Sequence, residues 1–158
     1  MATTRSTAGK GAGARNASKL WTDEERAAMQ ASVRERKAAS GRGSADDRAA
    51  GEAEVRAKLA GMPTADRVMG ERIHELVTTT APLLVPKTYY GMPAYARDGK
   101  VICFYKPASK FKVRYSTFEF QADATLDDGE MWPVSFAVAE LNARSEARIA
   151  ELVKKAVG

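Results

Sequence analysis

The chain has 158 residues, of which 44% are hydrophobic, and a formal net charge of +5. This length and apolar content predict a single soluble globular domain. One cysteine excludes an internal disulfide and a Cys/His zinc site, and one histidine excludes a di-iron centre, which needs two. Because no N-terminal run is long and apolar enough for a leader or a membrane span, the sequence predicts a cytoplasmic protein.

The first twenty residues carry most of the net charge. They contain four basic residues and no acidic one, and they are rich in Gly, Ala, Ser and Thr without a hydrophobic period. Such a segment buries too little surface to offset the entropy of ordering. We therefore predict a disordered basic tail over residues 1–20, with weak and strongly salt-dependent binding to polyanions.

Four helices are predicted from start signals that precede an apolar stripe. The starts are at Thr22, Ser44, Thr64 and Asn142, and the first helix spans about residues 23–39. Thr22 stands three residues before a glutamate, which is the spacing of a capping box. Glycine or proline residues limit the first three helices at their C-terminal ends.

From residue 87 the hydrophobic period changes to that of strands. Residues 89–96 predict one extended segment that is interrupted at 91–93, and the Asp-Gly pair at 98–99 predicts a hairpin. Residues 101–105 are apolar on both faces, which predicts a central covered strand, whereas 111–115 alternate as in a half-exposed strand. Together these elements predict an α+β fold in which a small antiparallel sheet packs with helices in two layers.

A family resemblance rests on one short stretch of the chain. Residues 86–95 read PKTYYGMPAY, and a hairpin with the sequence DGK and a strand ending at Tyr105 follow. This order resembles the YdhG-like domain family, and the resemblance covers about residues 65–156. It implies a compact two-layer domain without an assigned activity for most relatives. Some relatives are described as frataxin-like iron chaperones, so the resemblance also implies iron as a cargo.

The chain is accordingly divided into three parts. Residues 1–20 form the predicted tail, residues 21–62 an N-terminal helical segment, and residues 63–158 the YdhG-like α+β domain. The helical segment lies outside the stretch that resembles the family. It is the predicted variable surface if the protein is an interaction module.

An aromatic cluster is the most distinctive candidate ligand site. Tyrosine combines an apolar body with a polar tip, so such a cluster can line a small-ligand pocket. The same residues can also be a kinked strand that packs under a helix, and both interpretations stay open. The cluster consists of Tyr89, Tyr90, Met92 and Tyr95.

A basic stretch with interleaved aromatic residues is a candidate anion-binding site. A strand of this kind can stack bases and hold phosphates. It can equally be the solvated face of an edge strand, where lysine discourages further pairing. The basic residues are Lys106, Lys110, Lys112 and Arg114.

An acidic loop supplies candidate metal ligands. Asp127, Asp128 and Glu130 offer the hard oxygen atoms that Mg²⁺, Ca²⁺ or Fe²⁺ prefer. An Asp-Asp-Gly run is also typical of a turn, so this alternative stays open. His74 is expected to be an ordinary residue of an amphipathic helix and Cys103 a small buried hydrophobe, and no catalytic residue is predicted.

The leading hypothesis is a non-enzymatic binding or carrier domain for a metal ion such as iron, or for a small ligand. One alternative is a nucleic-acid-associated protein that uses the tail and the basic stretch. Another is a protein-interaction module that uses residues 21–62. The hypotheses differ in what they predict for metal binding, for salt dependence and for the effect of removing the helical segment.

Overall fold

The computed structural model describes residues 20–39 and 44–158, so that the predicted tail, except for Leu20, lies outside the described residues. The predicted α+β class is confirmed. In chain order the described elements are α1 (Asp23–Ala39), α2 (Ser44–Ala60), α3 (Thr64–Thr80), β1 (Val85–Tyr89), β2 (Met92–Arg97), β3 (Lys100–Lys106), α4 (Ala108–Phe111), β4 (Ser116–Phe120), β5 (Ser135–Val138) and α5 (Ala143–Val157).

The helix starts follow the local signals in the sequence. The predicted capping box is present at α1, where the Thr22 amide donates to Glu25 Oε2 at 2.7 Å and Thr22 Oγ1 accepts from the Glu25 amide at 3.1 Å. Helix α3 begins at Thr64 as predicted, although Pro63 occupies the N-cap and makes no side-chain cap bond. These starts are predictable because a cap depends only on residues within one turn.

Asn142 caps the last helix and gives a testable contribution to stability. Its Oδ1 accepts from the amides of Arg144 and Ser145 at 3.1 and 3.0 Å, and Ser145 Oγ accepts from the Asn142 amide at 2.9 Å. We expect Asn142→Ala to lower the free energy of unfolding by about 1 kcal/mol, measured by urea denaturation. Asn142→Asp keeps the acceptor and is expected to match the unmodified protein; equal stability of the alanine variant would contradict this role.

The sheet is an antiparallel meander in the order β1-β2-β3-β4-β5. The central position of β3 is confirmed, and its residues from Ile102 to Tyr105 are all buried. The predicted hairpin is also confirmed, since Asp98 and Gly99 have φ values of +51° and +78°. A second turn of this kind, at Tyr90 and Gly91, joins β1 to β2. The prediction of one interrupted segment over 89–96 is therefore wrong.

The predicted strand over residues 111–115 is also wrong. Helix α4 ends at Phe111, and Lys112 follows it with a φ of +52° in the left-handed region. The cause is a tertiary contact, because a carboxylate oxygen of Asp66 in α3 accepts hydrogen bonds from the amide and the hydroxyl of Ser109. Pro107 before α4 also has no amide to donate to a strand. Strand β5, which pairs with β4, was not predicted.

The first face of the sheet carries the main core. Register places Tyr95, Cys103 and Phe120 side by side on this face. Residues of α3 and α5 cover them, among them Ile73 and Val153, which are fully buried. Stacking of two helices on an antiparallel sheet buries one continuous apolar layer, as the predicted architecture requires.

Helix α2 lies beside α3 and against β1. Arg48 at its start donates to the carbonyl oxygens of Leu84 and Pro82 at 3.3 and 3.0 Å. Gly51 is buried in the contact, and a side chain there would collide with the Pro86 carbonyl group. Helix α1 contacts the second face of the sheet, which extends the predicted two layers by a partial third layer. The domain boundary at residue 63 stays a prediction.

Candidate ligand groove

The second face of the sheet carries a small apolar cluster. Because Ala94 and Phe104 are register partners, their side chains lie on the same face, opposite to the main core. The rings of Tyr89 and Phe104 have centroids 5.3 Å apart. The cluster consists of buried Met92, Ala94 and Phe104, with Tyr89, Val101 and Phe111 packed against them.

Helix α1 crosses this cluster and is fixed near both of its ends. Glu24 Oε1 lies 2.5 Å from Nζ of Lys112, and Glu35 Oε1 accepts from the Gly91 amide at 2.7 Å. Between these contacts the helix turns small side chains towards the domain. The buried residues of α1 are Ala28, Ala31 and Ser32. Small side chains fill little of the space between the helix and the sheet, so a groove remains beside them.

The groove has a volume of about 410 Å³ and opens to solvent. Its lining is mostly apolar and aromatic, and Trp21 and Tyr90 at its mouth are 52% and 36% exposed. Trp21 and residues of α1 form one wall, and the turn before β2 together with residues of β2, β3, β4 and α4 forms the rest. The lining consists of Trp21, Glu25, Ala28, Met29, Tyr90, Met92, Phe104, Lys106, Phe111 and Glu119.

Three charged side chains interrupt this apolar lining. Glu25 belongs to the capping box at the start of α1, and Glu119 Oε1 accepts from Thr117 Oγ1 at 2.7 Å. Lys106 Nζ lies 4.8 Å from the centroid of the Phe111 ring, which is a cation–π contact. The groove therefore combines an apolar floor with polar groups that can orient a bound molecule.

The turn at Tyr90 and Gly91 is held from two sides. Lys110 Nζ donates to the Tyr90 carbonyl at 2.9 Å, while Glu35 binds the Gly91 amide. Burial and the charge of Lys58 lower the pKa of Lys110 below its usual value, against the attraction of Glu35. Gly91 has a φ of +75°, and the Lys110 ammonium group lies where a side chain of residue 91 would project. This clamp fixes the mouth of the groove.

The predicted aromatic cluster is divided between the two faces of the sheet. Tyr90 and Met92 line the groove, and Tyr89 packs beside them. Tyr95 belongs to the opposite face and is fully buried in the main core. Strand alternation explains the division, because positions 92 and 95 differ by an odd number.

The four predicted basic residues do not share a strand, because α4 replaces the one that was expected. Lys106 lies in the groove and Lys110 in the clamp. Lys112 pairs with Glu24, and the guanidinium of Arg114 lies 5.0 Å from the centroid of the Tyr115 ring. Lys106 and Arg114 also line one surface cleft of about 350 Å³, to which Lys110 and Lys112 do not contribute. A common anion-binding role of all four residues stays a prediction.

The acidic loop does not gather its carboxylates around one point. Asp127, Asp128 and Glu130 are exposed. Across residues 20–39 and 44–158, no group of three or more His, Cys, Asp or Glu side chains is placed to hold a metal ion. The metal role of this loop stays a prediction without a ligand geometry behind it.

His74 is more than an ordinary helix residue, since it links two elements in a buried hydrogen-bond chain. Its Nδ1 lies 3.0 Å from the Tyr95 hydroxyl and its Nε2 lies 2.9 Å from Glu52 Oε1. An imidazole that donates from Nε2 to Glu52 can accept the Tyr95 hydroxyl at Nδ1, and this arrangement gives all three groups a partner. Burial raises the pKa of Tyr95 well above its usual value. Partial burial by itself would raise the pKa of Glu52. The hydrogen bond and the charge of His74, followed by the charge of Arg56, outweigh this effect and lower the pKa.

A second cleft of about 450 Å³ borders this chain between α2 and α3 and is lined by Arg56, Leu59, Glu71, His74, Glu75 and Thr78. Its histidine already binds Glu52 and Tyr95, so it has no nitrogen left for a ligand.

Cys103 is fully buried as predicted, and burial raises the pKa of its thiol. A thiol in this state is not a nucleophile.

Comparison with known proteins adds no relative: the chain matches no protein-family model, no curated protein and no solved structure. The YdhG-like resemblance therefore stays a prediction. In the part of the chain that the structure describes, no helix has the length and apolar character to cross a membrane.

Proposed function

We propose that this protein is a non-enzymatic binding domain that holds a small, largely apolar organic molecule in the groove under α1. The observation that carries the proposal is the groove itself, an open space of about 410 Å³ with four aromatic side chains in its lining. A volume of about 300–1,000 Å³ is usual for small-ligand sites. Helix α1 and the sheet leave this space because they meet through alanine and serine side chains.

The lining supports a ligand with an aromatic or aliphatic body. Aromatic rings offer large contact areas at a low cost in side-chain entropy. Met29 of α1 and Met92 of β2 both line the groove, and flexible thioether side chains adapt to ligands of different shape. Removal of apolar ligand surface from water supplies about 25 cal/mol per Å². We expect micromolar dissociation constants, which correspond to about −8 kcal/mol.

The chemistry of the groove favours binding over catalysis and over metal transport. Its titratable side chains are Glu25, Tyr90, Lys106 and Glu119, and no two of them are in hydrogen-bond contact within the described part of the chain. A nucleophile without a neighbouring base is not activated. Iron, the cargo that the family resemblance implies, needs a set of hard oxygen or imidazole ligands. The described residues do not assemble such a set, so the proposal does not involve iron.

Binding of the neutral fluorescent probe N-phenyl-1-naphthylamine tests the proposal. We expect the probe to bind with a micromolar dissociation constant and to quench Trp21 at the mouth of the groove. Met29→Glu places a charge in the groove wall, because Met29 is a lining residue of α1. We expect it to weaken binding at least tenfold, measured by fluorescence titration.

Met131→Glu is the matched control for this experiment. Met131 is 90% exposed and lies in the loop before β5, away from the groove lining. The same chemical change at this position is expected to leave the dissociation constant within twofold. Undiminished binding by a folded Met29→Glu variant, or equal weakening by both variants, would refute the assignment of the ligand to the groove.

A further inference from the structure

The three charged side chains of the groove differ in how well their charge is compensated. Glu25 lies in the first turn of α1, where the Thr22 amide and the helix dipole stabilise a carboxylate. Glu119 accepts a hydrogen bond from the Thr117 hydroxyl. Lys106 contacts the face of Phe111, but among residues 20–39 and 44–158 it has neither a hydrogen-bond acceptor nor an ion-pair partner. The ammonium group of Lys106 is therefore the charged group of the groove for which a ligand can best supply a counter-charge.

The fold holds Lys106 in position for such a contact. Lys106 is the last residue of β3, and its pairing with Thr117 places it on the same face as Phe104 of the groove floor. Its side chain is half-buried, and Pro107 restricts the backbone directly after it. A half-buried ammonium group interacts more strongly with an anion than an exposed one does, because the surroundings screen it less.

Lys110 does not compete for the same role. Its Nζ lies 5.7 Å from the Phe111 centroid, but it donates to the Tyr90 carbonyl in the clamp and is not among the lining residues of the groove. The first nineteen residues contain four basic residues and no acidic one, so they carry no side-chain carboxylate that could pair with Lys106. A ligand that carries an anionic group can therefore supply the counter-charge that Lys106 lacks.

We infer that the molecule bound in this groove is an amphipathic organic anion, with an apolar or aromatic body along α1 and a carboxylate or sulfonate at Nζ of Lys106. This inference rests on the proposed function, because it names the class of ligand for the same groove. The carboxylates of Glu25 and Glu119 repel an anionic group anywhere else in the groove, and Glu119 also weakens the attraction at Lys106. The groove is thereby specific for a molecule with its charge at one end.

Two probes with the same type of aromatic skeleton test the inference in the full-length protein. N-phenyl-1-naphthylamine is neutral, and 8-anilinonaphthalene-1-sulfonate carries one sulfonate. We expect Lys106→Met to weaken binding of the sulfonate about tenfold and to leave the neutral probe within twofold. Lys106→Arg is expected to retain most of the sulfonate affinity, since the charge and its hydrogen-bond donors remain.

Two further variants complete the design. Lys100→Met alters the exposed first residue of the same strand, away from the groove, and is expected to change neither dissociation constant by more than twofold. Glu119→Gln removes a repelling charge and is expected to tighten binding of the sulfonate two- to fivefold. Thermal unfolding by circular dichroism shows that each variant is folded before its affinity is compared.

The outcomes separate the two proposals. Failure of the unmodified protein to bind either probe overturns the proposed function, and the ligand class with it. If the unmodified protein binds the neutral probe, two results with Lys106→Met would overturn the anionic ligand class. These are an equal loss of affinity for both probes, and no loss of affinity for the sulfonate. In both cases the groove remains the proposed binding site. Weaker binding of the sulfonate in Glu119→Gln also counts against an anion at this position.

Discussion

Gly51→Ala is expected to destabilise the protein strongly, although alanine is the better helix former. An alanine in a helix interior is favoured over glycine by about 1 kcal/mol. At Gly51, however, the added carbon would overlap the carbonyl oxygen of Pro86 and would lie 2.9 Å from its carbonyl carbon. Both groups belong to the backbone and cannot rotate away. Separating α2 from β1 then costs about 3 kcal/mol or more, so we expect a net loss of at least about 2 kcal/mol.

Gly61→Ala is the matched control for this variant. A side chain at Gly61 would meet its nearest atoms at 3.7 Å, which is ordinary van der Waals contact. We expect the control to change the free energy of unfolding by less than about 0.5 kcal/mol in urea denaturation. Equal stability of the two alanine variants would show that α2 does not approach β1 as closely as described.

His74→Ala is expected to lower the free energy of unfolding by about 3 kcal/mol. The variant leaves a cavity under α2 and removes the partner of the buried Tyr95 hydroxyl. It also removes the hydrogen bond between His74 and the Glu52 carboxylate. Urea denaturation of His74→Ala measures the sum of these effects.

A double-mutant cycle with Tyr95→Phe isolates the hydrogen bond from the cavity. In the Tyr95→Phe background no hydroxyl is left unpaired, so His74→Ala is expected to cost about 1 kcal/mol less. Glu71→Ala, on the exposed side of the same helix, is expected to stay within about 0.5 kcal/mol of the unmodified protein. Strict additivity in the cycle would mean that the two side chains do not interact.

The elements that the sequence predicts well depend on neighbours within one turn. The capping box of Thr22 and Glu25 and the cap at Asn142 are of this kind, and so is the Asp98-Gly99 hairpin. The strand over 111–115 was wrong because Asp66, more than forty positions earlier, binds the amide of Ser109. The hydrophobic pattern of residues 111–115 carries no information about that contact.

The candidate site was predictable only in part, for a related reason. The aromatic cluster identified Tyr90 and Met92, but the separation of Tyr95 from them requires the register of two hairpins. The groove wall was missed, because the buried residues of α1 that contact the domain are small, whereas the larger apolar Val33 is 57% exposed. Alanine and serine side chains make the contact instead, and their small size conceals it in a hydrophobic pattern. A tryptophan just before a capping box was the one available signal.

The chain-order arrangement of the five strands has a consequence for how the protein folds. Each strand pairs only with the strand before or after it, so every strand pair of the sheet joins segments that are consecutive in the chain. Folding rates fall as contacts become more distant in sequence. The hydrogen bond between Glu35 of α1 and Gly91 joins residues 56 positions apart, so we expect α1 to join the sheet late. The groove exists only after this step. Ligand affinity therefore reports on the completed molecule, whereas sheet formation alone does not create a binding site.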